Sequence, residues 1–274
     1  MSVVWLDGQL HAEEQARISP FDHGLLTGDG VFETLRIYRG VPFATRRHLE
    51  RLYRSAAVLD LACPPPDVLR AAMDAVVRAN GLSDGRLRIT VTGGPGRLSS
   101  ERGPAGPTVV VAAGVATEWP PATDVVVVPW PRNERGALAG VKSISYGENV
   151  VALAHAAALG AGEALFANVA GNLCEGTGSN VFVGLDGRLV TPPLSAGCLA
   201  GVTRELIGEL VDVVDDDVDL GRLAQADEAF LTSSTREVQP VRSVDGRLLR
   251  AVPGPLTSAA ADAFNELLAR DLDP

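Results

Sequence analysis

Hydrophobic and polar residues alternate in short runs over the first part of the chain, and glycine-containing pairs interrupt them. Alternation with a period of two predicts strands, and pairs such as Asp7-Gly8 and Arg39-Gly40 predict tight hairpin turns. Apolar residues spaced three and four apart predict helices instead. The strands predicted here are Val3–Leu6, Gln9–His11, Val31–Tyr38, Val41–Ala44, Arg86–Thr92 and Thr108–Gly114, and the helices are Arg47–Leu61 and Asp67–Asn80.

The first helix has a clear apolar stripe formed by Leu49, Leu52, Ala56 and Leu59. Helical geometry places Arg51 off this stripe, so the pattern alone predicts an exposed arginine at that position.

The pattern restarts after a proline-containing stretch. Pro120 and Pro121 lie in the segment 118–123, which we interpret as a linker between a domain at 1–117 and a domain at 124–274. The second domain is predicted to contain the strands Asp124–Val128, Ala164–Asn168 and Glu228–Thr232, hairpins at Asp186-Gly187 and Asp245-Gly246, and the helices Glu148–Leu159, Thr203–Val214 and Leu256–Leu268. Mixed elements in both halves predict an α+β fold of two domains with a cleft between them.

Composition and charge narrow the classes of function. The apolar fraction of 46% supports a substantial core, and the formal net charge of -10 disfavours nucleic acid and anionic membranes as partners. No basic segment followed by an apolar run indicates a secretory signal, and no run is long enough to cross a membrane. Three widely spaced cysteines fit free thiols in a reducing compartment, so a cytoplasmic protein is expected.

Lysine is nearly absent from the chain. The 24 basic residues comprise 23 arginines and one lysine, Lys142. Arginine can replace lysine as a surface cation, but its guanidinium stays protonated and cannot form an imine. A lysine that survives in such a composition is a candidate nucleophile, although chance survival at the surface explains this single observation equally well.

Metal and nucleotide motifs are not found. The acidic run Asp212–Asp219 fails the calcium-loop pattern, because Leu220 and Ala226 stand where glycine and glutamate are required. The histidines have no metal-ligand spacing, so no metal site is predicted.

Three segments of the second half carry residues suited to one chemistry. Lys142 lies between apolar neighbours, and burial would favour its neutral, nucleophilic form. Glu175 enters a glycine-rich turn, and Gly201 to Arg204 open an amphipathic helix whose first N–H groups suit a phosphate. Taken singly, these segments also fit a salt bridge, a plain turn and an ordinary helix start. Their joint occurrence favours the functional interpretation.

The chain resembles the class IV aminotransferases that depend on pyridoxal 5′-phosphate (PLP), a family with branched-chain aminotransferases, D-amino acid aminotransferases and 4-amino-4-deoxychorismate lyases. The resemblance covers nearly the whole chain. Its motifs are Phe21–Thr34, Arg46–Leu52, Gly140–Tyr146, Leu173–Phe182, Gly201–Arg204 and Thr232–Val241. It implies a two-domain PLP enzyme of fold type IV, with a small N-terminal α/β domain, a larger C-terminal domain and the cofactor in the interdomain cleft.

The resemblance also implies roles for individual residues. Lys142 would form the Schiff base with PLP and shuttle the substrate proton, Glu175 would face the pyridine nitrogen, and Tyr146 would bind the ring 3-oxygen. Arg51, Val202 and Thr203 would hold the phosphate. The remaining residues expected to bind the cofactor are Gly178, Ser179, Asn180, Ser234 and Thr235.

The reaction is expected to be amino transfer from an amino acid, with D-amino acids favoured, to a 2-oxo acid in a homodimeric enzyme. Aminodeoxychorismate lyase is the first alternative, L-branched-chain aminotransferase the second, and a PLP-carrying protein without turnover a further one. Arg97, on a glycine-rich loop, and Arg88 are alternatives for binding the substrate carboxylate. Thr27, Thr34 and Ser233 complete the expected substrate residues.

Overall fold

A computed structural model describes residues 2–116 and 118–274, and the contacts within it define two compact units. Unit 1 comprises the described part of Met1–Thr117 together with Val141–Tyr146 and Asp271–Pro274, and unit 2 comprises Glu118–Gly140 and Gly147–Arg270. Helices accompany a β-sheet in both units, which confirms the predicted α+β class. The segment around Lys142, which the pattern placed after the linker, belongs to unit 1.

Unit 1 contains a six-stranded sheet in the order β2-β1-β6-β5-β3-β4, in which all neighbouring strands are antiparallel. Its elements are β1 (Val3–Leu6), β2 (Gln9–Ala12), α1 (His23–Thr27), β3 (Gly30–Tyr38), β4 (Val41–Pro42), α2 (Thr45–Val58), α3 (Pro66–Ala79), β5 (Asp84–Thr92) and β6 (Val109–Gly114).

Alternate residues of β3 form the apolar face of the sheet on which α2 packs. Val31, Leu35 and Ile37 alternate along β3 and are fully buried, and they belong to the core that includes Leu49 and Leu52 of α2. The apolar stripe predicted for α2 is therefore the face that packs on the sheet.

Helix α1 is too short to be recognised from periodicity. The Asp22 side chain accepts a hydrogen bond from the Gly24 N–H at 2.8 Å and begins the helix, and Gly28 ends it with φ of 70°. The second carboxylate oxygen of Asp22 accepts the hydroxyls of Thr92 and Thr108 at 3.0 and 2.6 Å, which ties α1 to the ends of β5 and β6.

Unit 2 contains a mixed sheet in the order β12-β11-β10-β13-β14-β7-β8-β9, with β15 paired to β14. Its elements are β7 (Thr123–Val127), α4 (Gly147–Ala158), β8 (Glu163–Ala167), β9 (Leu173–Gly176), β10 (Asn180–Leu185), β11 (Arg188–Thr191), α5 (Val202–Leu210), β12 (Val214–Asp215), α6 (Leu220–Leu223), β13 (Glu228–Ser233), β14 (Glu237–Val244), β15 (Arg247–Leu248) and α7 (Pro255–Arg270).

The helix predicted at Thr203–Val214 is wrong at its C-terminal end. Helix α5 stops at Leu210, and Val214 is exposed and pairs in parallel with Val190 of β11. The residues beyond Leu210 include three valines, whose branched side chains favour extended backbone, and this preference outweighs the helical spacing.

No helix within residues 2–116 and 118–274 is long and apolar enough to cross a membrane.

Glu228 is a buried carboxylate at the start of β13 that stabilises the beginning of α7. It accepts hydrogen bonds from the Leu256 N–H, the Thr257 N–H and the Thr257 hydroxyl at 3.1, 2.8 and 2.7 Å. These N–H groups belong to the first turn of α7 and have no acceptor within the helix.

We predict that Glu228→Gln lowers the free energy of unfolding by about 1–3 kcal/mol, because the amide is a weaker acceptor than the carboxylate. Urea unfolding of the variant and the parent chain measures this difference. Equal free energies of unfolding would contradict the capping role of Glu228.

Candidate active site

The backbone around Lys142 lies along β3 in unit 1. The Phe32 N–H donates to the Lys142 carbonyl at 3.1 Å, and the Ile144 N–H donates to the Gly30 carbonyl at 3.0 Å. The Lys142 N–H donates to the Ser55 hydroxyl of α2 at 3.1 Å. The lysine backbone is therefore fixed by both a strand and a helix.

The ring of Phe32 is the point around which several predicted site residues meet. Lys142 Nζ lies 4.4 Å from the ring centroid, and the guanidinium carbon of Arg88 lies 3.7 Å from it. The Tyr146 ring meets the same ring edge-on at 5.2 Å. Thr34 follows Phe32 on the same face of β3 and pairs with Arg88 of β5. Aromatic faces attract cations, so the ring holds both basic groups on one face of the sheet.

On the core face of β3, Glu33 is fully buried and is bound by two basic side chains of α2. Arg51 donates from Nε and Nη2 to the two carboxylate oxygens, both at 2.7 Å, and His48 Nδ1 lies 2.7 Å from one of them. Burial alone would raise the pKa of Glu33, but Arg51 and His48 hold it well below its ordinary value.

Burial lowers the pKa of His48 while Glu33 opposes that shift. Because an ionised carboxylate can only accept, the proton shared with Glu33 is assigned to Nδ1 of His48. The exposed arginine predicted at position 51 is wrong, since the Arg51 side chain is only 5% exposed. Its burial depends on Glu33, a partner far along the chain that helical periodicity does not reveal.

Thr27 lies at the end of α1, and Arg97 lies on the loop after β5. The Thr27 hydroxyl donates to the His23 carbonyl at 2.9 Å inside α1, and His23 Nε2 lies 3.3 Å from the Arg97 carbonyl oxygen. Arg97 is exposed on the loop after β5. Arg102 of the same loop grips both carboxylate oxygens of Asp29 at 2.6 and 2.7 Å.

In unit 2, both carboxylate oxygens of Glu175 face donors. The Leu199 N–H donates to Oε2 at 2.9 Å, and Arg132 Nε lies 3.4 Å from Oε1. Arg132 Nη2 donates to the Asn149 side chain at 2.9 Å. The Glu175 carboxylate therefore has one backbone donor and one guanidinium beside it.

Helix α5 begins with N–H groups suited to an anion. The first helical bond runs from the Glu205 N–H to the Gly201 carbonyl at 2.9 Å, so the N–H groups of Val202 and Thr203 precede the helical ladder. A Cβ on Gly201 would collide with the Asn180 amide oxygen. The Asn180 amide donates to the Leu199 carbonyl at 2.9 Å and fixes the approach to the helix.

The remaining predicted cofactor residues of unit 2 lie on two turns, together with Ser233, which was predicted to bind the substrate. Turn A, residues 176–180, joins β9 to β10 and carries Gly178, Ser179 and Asn180, and turn B, residues 233–237, joins β13 to β14 and carries Ser233, Ser234 and Thr235. Both turns lie at the same end of the paired strands β10 and β13, where Asn180 is opposite Thr232. Among the described residues the buried Thr232 hydroxyl has no hydrogen-bond partner.

Comparison with known proteins defines the class to which this arrangement belongs. The family model for amino-transferase class IV matches residues 30–244, so the chain belongs to that family.

Among curated proteins, the chain is 33% identical to a Methanocaldococcus jannaschii protein provisionally assigned as a branched-chain-amino-acid aminotransferase, over 96% of each chain. It is 32% identical to D-alanine aminotransferase of Bacillus licheniformis over 95% of each. The structure of branched-chain amino acid aminotransferase from Escherichia coli superimposes with a TM-score of 0.92 at 29% identity, covering 97% of this chain and 94% of that one.

Class IV aminotransferases use PLP, and the protein is a PLP-dependent aminotransferase. Its residues fit that cofactor. Unit 2 offers the first-turn N–H groups of α5, the unpartnered Thr232 hydroxyl opposite Asn180, and a carboxylate whose two oxygens face donors. Unit 1 contains the one lysine of the chain.

Site roles for Glu33, His48 and Arg132 were not predicted from the sequence. A signal for Glu33 was present, because it stands among Val31, Leu35 and Ile37 on the buried face of a strand. A charge on a core face requires a partner, and the basic residues His48 and Arg51, one helical turn apart, can provide it. Arg132 has no comparable pattern, because it lies in an irregular segment.

The Glu33 cluster predicts how stability changes with pH. The folded-state pKa of Glu33 lies below the unfolded value of 4.5, so stability present above pH 4.5 is lost as the pH falls. We expect Glu33→Gln to be less stable at neutral pH and to lose less stability in acid.

Urea unfolding from about pH 7 to about pH 3 measures both effects. Parallel pH profiles for the variant and the parent chain would show that Glu33 does not contribute in this way.

Proposed function

We propose that this aminotransferase transfers the amino group of a D-amino acid to a 2-oxo acid, with Lys142 and Arg88 acting on the same donor molecule. The observation that carries this proposal is the placement of Lys142 Nζ and the Arg88 guanidinium on one ring, that of Phe32, at 4.4 and 3.7 Å from its centroid. An amine and a guanidinium held together suit the α-hydrogen and the carboxylate of one amino acid.

Bound PLP supplies an electrophilic aldehyde carbon and a ring that withdraws electrons from the reacting carbon. The neutral Lys142 Nζ would accept the proton from the donor Cα, and the backbone bonds to Phe32 and Ser55 keep the lysine in one position. The Glu175 carboxylate would keep the proton on the ring nitrogen, and the Tyr146 hydroxyl would bind the ring 3-oxygen.

For the phosphate we propose the first turn of α5, with the N–H groups of Val202 and Thr203 and the hydroxyl of Thr203. Ser234 and Thr235 on turn B extend this set, and Arg51, which Glu33 holds rigidly, is the proposed cation.

Arg88 is the proposed ligand of the donor carboxylate. Its Nε donates to Thr90 at 3.1 Å, which fixes the orientation of the guanidinium, and Thr34 faces it across the strand pair. Arg97 lies on the loop after β5 and is the alternative.

A D-amino acid donor is supported by the relationship to D-alanine aminotransferase. The assembly we propose is a homodimer. Exposed apolar side chains in and before α1, namely Ile18, Phe21, Leu25 and Leu26, support a contact surface there.

The donor is identified by assaying the PLP-loaded protein with D-alanine and 2-oxoglutarate. We expect pyruvate and glutamate in equal amounts, and little product from L-leucine. Formation of 4-aminobenzoate from aminodeoxychorismate without transamination would identify a lyase, and preference for L-leucine would identify a branched-chain enzyme.

Lys142→Arg is the matched control in this assay because it keeps the charge and removes the nucleophilic amine. We expect kcat to fall on the order of a thousandfold or more. Retention of activity would refute the assignment of Lys142.

Replacing either arginine by glutamine distinguishes the two carboxylate ligands. We predict that Arg88→Gln raises the KM of the amino donor by about tenfold or more while PLP remains bound, because a charge-assisted bond is lost. Arg97→Gln should change KM much less. The opposite ranking, obtained from initial rates and the PLP content of both variants, would assign the carboxylate to Arg97.

A further inference from the structure

Glu163, at the start of β8, is a buried carboxylate that binds both turn A and turn B. It is 1% exposed. Its Oε1 accepts the Thr177 hydroxyl at 2.5 Å and the Thr177 N–H at 3.2 Å. Its Oε2 accepts the Ser179 hydroxyl at 3.1 Å and Arg236 Nη2 at 3.3 Å. One carboxylate thus receives donors from two turns that are more than fifty residues apart in sequence.

Arg236 is held as firmly as its partner. Its guanidinium is buried and lies over the Trp119 ring, 3.8 Å from the centroid, and it also donates to the Gln239 side chain and to the Gly162 carbonyl. The Arg236 N–H donates to the Ser233 hydroxyl at 3.1 Å, so the arginine shapes the turn that carries it.

Turn A packs closely against Glu163. The Gly176 N–H donates to the Ser179 carbonyl at 2.7 Å, and a Cβ on Gly176 would collide with the Ser179 hydroxyl and approach the Glu163 side chain. The Thr177 carbonyl also accepts a hydrogen bond from the Asn149 amide at 2.5 Å. Glu175 directly precedes this turn, so its carboxylate depends on the turn's position.

We infer that the Glu163–Arg236 pair is a positioning element that fixes turn A relative to turn B and thereby sets where PLP is held. This inference rests on the proposed function. Neither residue is assigned a contact with the cofactor. Their effect passes through Glu175 on one side and through Ser234 and Thr235 on the other. A buried charge that loses its partner destabilises its surroundings, so each residue enforces the position of the other.

The test is the affinity of the apoprotein for PLP, measured by titration with fluorescence or absorbance detection. Glu163→Gln keeps the shape of the side chain and removes its charge. We expect its Kd for PLP to rise about tenfold or more, because charged hydrogen bonds to both turns are weakened. Arg236→Lys, which keeps the charge, should impair binding less than Arg236→Met.

Glu228→Gln is the matched control, because Glu228 is another buried carboxylate of unit 2 whose bonds to Leu256 and Thr257 begin α7. It should lower the thermal midpoint while changing the Kd for PLP less than twofold. Equal changes in Kd for Glu163→Gln and Glu228→Gln would show that Glu163 acts only through general stability, and the inference would fall.

If Glu163→Gln does not fold, Thr177→Val is the substitute test. This variant leaves the Glu163–Arg236 ion pair intact and removes the hydrogen bond from the Thr177 hydroxyl to Glu163. A raised Kd with an unchanged thermal midpoint supports the inference, and an unchanged Kd overturns it. PLP uptake by the parent chain distinguishes a failure of the proposed function from a failure of the inference alone. If it takes up no PLP, the proposed function and the inference fail together, whereas normal uptake by parent and variants overturns the inference alone.

Discussion

A carboxylate removed from water must be surrounded by hydrogen-bond donors, and each unit of this protein contains a buried carboxylate that gathers them from separate segments. Glu33 joins β3 to α2 through His48 and Arg51, and Glu163 joins turn A to turn B through Thr177 and Arg236. Leaving such a charge unpaired would cost several kcal/mol, so the segments cannot separate without a large loss of stability.

The position of Lys142, the proposed nucleophile, depends on the first of these carboxylates. Lys142 is held by Phe32, which neighbours Glu33 on β3, and by Ser55, which lies one turn beyond Arg51 on α2. The bonds of Glu33 keep β3 and α2 together, so they also keep the two supports of Lys142 in register. Because side chains alternate across β3, one strand carries a structural ion pair on one face and the ring beside the amine on the other.

Local chemistry explains what could be predicted from the sequence. The hairpins at Asp7-Gly8 and Asp186-Gly187 were predicted correctly, because both residues of each pair adopt positive φ. Helix α2 was predicted from its apolar stripe, and that stripe exists because this face of the helix packs on a sheet. The burial of Arg51 and the alignment of Lys142 with β3 depend on partners about 20 and 110 residues away, and no local pattern encodes them. The candidate site residues were identified from the family resemblance. The hydrogen bonds and ring contacts that hold them are seen only in the structure.

The use of arginine shows why one lysine remains. Arg51 binds Glu33 through two nitrogens, Arg102 binds both oxygens of Asp29, and Arg236 lies over the Trp119 ring while donating to three acceptors. Each task uses the planar fork of the guanidinium, which an ammonium group lacks. The role proposed for Lys142 requires the opposite property, an amine that can give up its proton and attack a carbonyl carbon. Arginine therefore suits the structural cations of this chain, whereas the role proposed for Lys142 requires lysine.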